Sequence, residues 1–104
     1  MTRYAVIREA GPGWADGGIN GQPAVSEHSA YMQTLADEGL LVSAGPLAGS
    51  ERGRLRALLV LEAEDEAEIH RRLRDDPWAR SGQLVVASVE PWTILVGSGA
   101  ATHG

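Results

Sequence analysis

The chain has 104 residues and a mass of 11.0 kDa, with nine arginines against fourteen acidic side chains and a formal charge of −5, and it lacks cysteine, lysine and phenylalanine. That length fits one domain burying roughly two thirds of its unfolded surface, and the charge opposes nucleic-acid phosphate and anionic lipid, so neither nucleic acid nor membrane is an expected partner. Without cysteine there is no disulfide scaffold, thiolate metal site or thiol nucleophile, and aromatic residues are scarce at 5%.

In chain order, residues 3–9 read as a strand. Residues 10–22 hold five glycines and one proline and read as a loop. Pro23 is expected in the first turn of a helix over 24–38, where Val25, His28, Met32 and Leu35 recur at helical spacing until Gly39. Leu40 to Pro46 reads as a strand, 47–54 as turns, and 55–62 as the clearest strand in the chain. Residues 64–74 place acids in the first turn and arginines in the last, as the helix dipole favours. Pro77 pushes Asp76 out of the helical region and ends that helix. A last strand starts near Leu84, runs through Val89 and is expected to resume over 93–96, with Pro91 confining it to an edge or bulge. A loose tail follows. Charged residues interrupt the N-terminus early, and no stretch approaches about 18 apolar residues, so the cytoplasm is the expected location.

The order β-α-β-β-α-β predicts an α+β, ferredoxin-like subunit in which two helices cover one face of a four-stranded antiparallel sheet. Strand three carries Leu55, Ala57, Leu59 and Leu61 on one side and Leu58 and Val60 on the other. Strand four repeats this, with Leu84 and Val86 opposed to Val85, Ala87 and Val89. Helices cover one face, so a homodimer is the expected cover for the second.

The signatures of P-loop, serine-hydrolase and zincin chemistry are absent, and Asp16 stands where a dinucleotide fingerprint begun at Gly11 and Gly13 needs its third glycine. No cofactor is expected. Of the three histidines, His103 lies in the tail and His70 stands four residues after Glu66, an exposed helical pair. His28 sits beside the apolar stripe of helix one just after the loop. It reads either as a core-edge histidine satisfied by a partner or as an acid/base group. Asp76 is the candidate partner: a carboxylate accepting the Nδ1 proton fixes the tautomer and leaves Nε2 to take or give a proton. The other reading of Asp76 is a helix-stop turn. Two such ligands do not make a metal site, which generally needs three or four.

The combination of His28, the run Glu38 to Leu47, Asp76-Pro77-Trp78 with Gly82 following, and Val89-Glu90-Pro91-Trp92 resembles the YCII-related (YciI-like) family over roughly residues 1–97, with 98–104 as a flexible tail. The resemblance implies a dimeric α/β barrel of ferredoxin-like subunits and an active site built on a histidine and an aspartate, which fall on His28 and Asp76. It places Ser43, Gly45 and Pro46 in the same pocket. Compact members of the family pass almost directly from strand one to helix one, whereas this chain has the loop 10–22. Trp14 in that loop reads as a lid over a ligand or as a packed anchor, and Trp78 as pocket wall or core.

Taken together these features point to a small, cofactor-independent enzyme of isomerase or lyase type that moves a proton on a small organic molecule with a His28–Asp76 pair. A non-catalytic dimeric module that binds a small ligand is the alternative reading, and a cofactor-free oxygenase of similar barrel shape is a third.

Overall fold

The computed structural model describes residues 1–48, 50, 54–97, 99 and 100, so most of the expected tail, His103 included, lies outside the described residues. The elements are β1 (Thr2–Ala10), a 3-10 turn (Ile19–Gly21), α1 (Val25–Asp37), β2 (Leu41–Pro46), β3 (Arg56–Ala63), α2 (Glu66–Arg74), α3 (Pro77–Arg80) and β4 (Leu84–Pro91). All neighbouring strands are antiparallel in the order β2-β3-β1-β4, an α+β architecture compatible with the ferredoxin-like arrangement. No helix among the described residues is long and apolar enough to cross a membrane.

On β1, Tyr4, Val6 and Arg8 are buried while Ala5 and Ile7 between them are partly covered. This two-residue period sends Tyr4 and Val6 toward Leu35 of α1 and Ile69 and Leu73 of α2, where Leu59, Leu61 and Ala63 of β3 complete the core. The two helices are tied across their outer edge. The Tyr31 hydroxyl donates to the Arg72 carbonyl at 2.6 Å, and Arg72 Nη2 donates to Glu38 Oε2 at 2.7 Å. Asp65 caps α2 by accepting from the Glu68 backbone N–H at 2.9 Å. Gly39, at φ +84°, lets α1 stop and turn into β2.

Three sequence expectations change here. The first concerns Pro23, which stands before α1 rather than in its first turn: the helix starts after Ala24, which adopts the left-handed conformation at φ 61°. The second is the alternation expected along strand four, which a bulge between the pairs Ile7–Ser88 and Arg8–Val86 breaks. One extra residue flips every later side chain to the other face, so Val89 packs on the helix-side core together with Val86 instead of opposing it. The third is the resumed strand at 93–96, which does not form. The ladder ends at Pro91, which has no N–H to offer, and Trp92 N–H then donates to the Arg3 carbonyl at 2.9 Å. The sheet face away from the helices carries Ala5, Ile7, Leu58 and Val60, paired across β1 and β3, with Val85 on β4.

The loop after β1 is closely pinned. Gly11 N–H donates to the Gln83 carbonyl and Gly13 N–H to the Gly82 carbonyl, both at 2.9 Å. A Cβ on Gly11 would stand 2.4 Å from the Gly82 oxygen, and one on Gly13 would stand 2.4 Å from the Ser81 oxygen. Gln22, almost fully buried, folds back on the same loop, accepting from Ala15 N–H at 2.9 Å and donating to the Gly18 carbonyl at 2.9 Å. Gln83 donates to Gln22 Oε1 at 3.2 Å. Close backbone approach therefore sets the requirement for glycine at positions 11 and 13. Gly11→Ala is expected to destabilise the fold by about 1–3 kcal/mol through forced displacement, whereas Gly45→Ala, with no atom within 4 Å of the added carbon, stays within about 0.5 kcal/mol. Urea unfolding of the two variants reads the difference, and equal midpoints would contradict it.

Candidate active site

Asp76 sits between α2 and α3 in extended conformation with its side chain completely buried. Pro77 occupies the first turn of α3, where its missing N–H costs nothing. The carboxylate caps that helix by accepting from Trp78 N–H at 3.0 Å. It also accepts from His28 Nδ1 at 2.9 Å and from Arg8 Nη1 at 2.8 Å. The two readings of Asp76 thus describe one residue, which ends one helix, starts the next and meets His28.

Burial alone would raise the Asp76 pKa. The hydrogen bond from His28, the positive charge of Arg8 and the Trp78 N–H outweigh it and hold the group below the ordinary carboxylate value. An ionised carboxylate is an acceptor only, so Nδ1 of His28 carries the proton in the pair and the neutral ring has its lone pair on Nε2. The imidazole lies flat on the Trp78 indole, with centroids 3.9 Å apart and an interplanar angle of 5°. Trp78 is fixed in turn, donating through Nε1 to the Pro23 carbonyl at 2.8 Å. One side of the ring is therefore packed, its Nδ1 is occupied, and the side chain remains 17% exposed.

That exposed edge borders a cleft of about 390 Å³ between α1 and the edge strand β2. Ser29, Met32 and Gln33 of α1 form one wall, and Ser43, Gly45 and Pro46 of β2 form the other. Arg8, Ala57 and Leu59 lie beneath, and Trp78 and Ile19 close the end. The expected residues His28, Ser43, Gly45, Pro46 and Trp78 therefore share one cavity. Trp14 does not line this cleft but borders an adjoining cavity that shares Ile19, Pro46 and Leu55 with it. It packs edge-on against Trp78, with centroids 5.6 Å apart and an angle of 86°, and joins Leu55 and Leu84 in a second small core. It supports the wall from behind, and the loop residue that reaches the cleft is Ile19.

Arg8 is a site residue that the motifs do not point to. The sequence carries a signal for it all the same, because Tyr4, Val6 and Arg8 follow the core-facing alternation of β1 and a charge at such a position needs a buried partner. The remaining chemistry is peripheral: His70 Nε2 pairs with Glu66 at 3.1 Å on the exposed face of α2.

A family model for the YCII-related domain matches residues 2–93. The chain belongs to the YCII-related family. Among solved structures, this YCII-related chain is similar to the 5-chloro-2-hydroxyhydroquinone dehydrochlorinase (TftG) of Burkholderia phenoliruptrix AC1100, determined in complex with 2,5-dihydroxybenzoquinone. The identity is 19% and the TM-score 0.60, over 88% of this chain and 93% of that one. No curated protein matches the sequence.

The lowered pKa of Asp76 has a signed consequence for stability. Between its folded value and the unfolded value of about 3.9, the unfolded chain binds more protons, so stability rises with pH. The contribution is complete above that window and is lost as pH falls through it. Asp76→Asn is expected to cost about 3–5 kcal/mol at neutral pH by leaving Arg8 without its counter-charge and to flatten the acid limb of the stability curve. Urea unfolding between neutral pH and about pH 3 checks both; parallel acid limbs in variant and wild type would refute the assignment.

Proposed function

We propose that this YCII-related protein is a cofactor-independent enzyme of isomerase or lyase type acting on a small organic molecule, with His28 as acid/base and Asp76 as its orienter. The observation that carries the reading is the His28–Asp76 pair at 2.9 Å on the wall of an open, largely apolar cleft. Asp76 holds the proton on Nδ1 and stabilises the imidazolium that forms when Nε2 takes a proton from substrate carbon. Returning that proton to a different atom gives isomerisation. In elimination, the electron pair of the broken C–H bond forms the new double bond as the leaving group departs with its own pair. One positioned base of this kind contributes about 10²–10⁴-fold. The likeness to a dehydrochlorinase that binds a dihydroxybenzoquinone supports a small, flat substrate and the elimination branch by fold analogy.

The alternative reading is a non-catalytic ligand-binding module. It is favoured by one observation: Asp76 also caps α3 and pairs with Arg8, as a purely structural carboxylate would.

A thermal-shift screen of small aromatic and carboxylate compounds, followed by solvent deuterium exchange into any that bind, separates the two. Under the enzyme reading, wild type catalyses exchange at carbon, while His28→Ala still binds but loses exchange about 100-fold or more. Binding without exchange by wild type would establish the module instead.

The second copy belongs to this proposal. The sheet face with Ala5, Ile7, Leu58 and Val60 is apolar, and among the described residues the helices pack on the opposite face; a two-fold partner presenting the same face covers it as a dimeric barrel. Sedimentation at low micromolar concentration is expected to give a dimer that Leu58→Arg converts to monomer. A wild-type monomer would refute it.

A further inference from the structure

Arg8 is more deeply buried than any other arginine described, with 1% of its surface exposed, and its Nε–H has no hydrogen-bond partner. Its bond to Asp76 runs through Nη1, which also lies 4.0 Å from the Met32 sulfur. Met32 lines the His28 cleft, so Nη1 faces that side. A buried guanidinium spends its N–H groups on acceptors wherever it can. Among the described residues, the carboxylate it pairs with, Asp76, is shared with His28 and the Trp78 N–H.

The charge at this place is equally incomplete. Arg8 and ionised Asp76 cancel, so the site is neutral while His28 is neutral. Once Nε2 takes a proton, the cleft holds one uncompensated positive charge. Arg8 itself lines the cleft, so an ionised oxygen on the ligand beside it supplies the missing charge, in surroundings where the apolar walls keep the interaction strong.

We infer that Arg8 is the anion-binding residue of the cleft, and that the molecule bound there is a small, flat, apolar body carrying one ionised oxygen group, a carboxylate or an enolate. The inference rests on the reading of the cleft as a substrate site and adds the class of substrate. Arg8 holds the anionic oxygen while His28 takes the proton, so the anion left by deprotonation stays paired with a fixed cation instead of water. A smaller cavity on the α2 side, bordered by Arg8, His70, Leu73, Arg74 and Ala79, offers the competing location. The placement of Nη1 beside Met32 favours the His28 cleft.

The test is titration of the full chain with benzoate and with benzamide, its uncharged isostere, read by amide NMR, with 4-nitrophenolate as an enolate-like second anion. Wild type is expected to bind an anion at millimolar concentration or better and benzamide roughly ten-fold or more weakly, with shifts at Ser29, Gln33 and Ser43. Equal affinity for benzoate and benzamide, binding of neither anion, or shifts confined to Leu73 and Ala79 would overturn the assignment. Arg8→Gln is expected to lower anion affinity by about 10- to 100-fold, and Arg8→Lys to restore part of it. If Arg8→Gln does not fold, the benzoate–benzamide comparison in wild type still decides. Wild type distinguishes the two readings of the site: binding that prefers benzoate over benzamide, in a wild-type protein that catalyses no exchange at carbon in any ligand of the screen, upholds the anion site and removes the proposed chemistry. Exchange accompanied by equal binding of neutral and anionic ligands does the reverse.

Discussion

A single buried carboxylate organises this protein. Asp76 accepts from a strand (Arg8), from the first turns of one helix (His28) and from the backbone of the next (Trp78), so three separately encoded segments meet at two oxygen atoms. Each partner is needed because a buried charge left alone is far costlier than one that is paired. The arrangement is also self-consistent locally. Pro77 forces Asp76 into the extended conformation that an N-cap requires, and the same conformation aims the carboxylate back toward β1 and α1.

Around that carboxylate the molecule has two cores of different character. The larger, between the sheet and α1 and α2, is aliphatic and follows the strand and helix periods. The smaller is built on Trp78, Leu55 and Leu84 with Trp14 behind, and it fixes the plane on which His28 lies. The pinned loop after β1 belongs to the second core. It is held by its own glycines and by Gln22 and Gln83, and it shapes the end of the cleft through Ile19. The scarcity of aromatic residues is therefore uneven, since the large rings are placed where a rigid wall is needed.

Much of this is legible in the sequence, and the misses have physical reasons. The order of strands and helices follows from hydrophobic period and from Gly39 and Pro77, whereas that order leaves the partner of His28 open, and it is the family resemblance that implies the pairing with Asp76. The bulge in β4 leaves no local mark, because the choice between one register and the next depends on β1 beside it. That is why Val89 reads on the wrong face. Trp14 reads as a lid or as a packed anchor, and the lid reading comes from the freedom that the glycines around it suggest. In the fold Gly11 and Gly13 serve close contact instead, and the loop they begin is held down. Arg8 escapes because a lone arginine in a short strand resembles a surface residue until its buried partner is known.

The stacking of Trp78 on His28, with Trp14 against its edge, has an experimental consequence. Trp78 forms part of the cleft wall and Trp14 packs on its edge, while the third tryptophan, Trp92, is 42% exposed and lies beyond the sheet. Near-ultraviolet dichroism depends on aromatic side chains held in a fixed asymmetric setting, so in this protein its tryptophan bands arise chiefly from the wall of the site. The protein thus carries its own optical reporter, one that follows the state of the imidazole and its wall without any label.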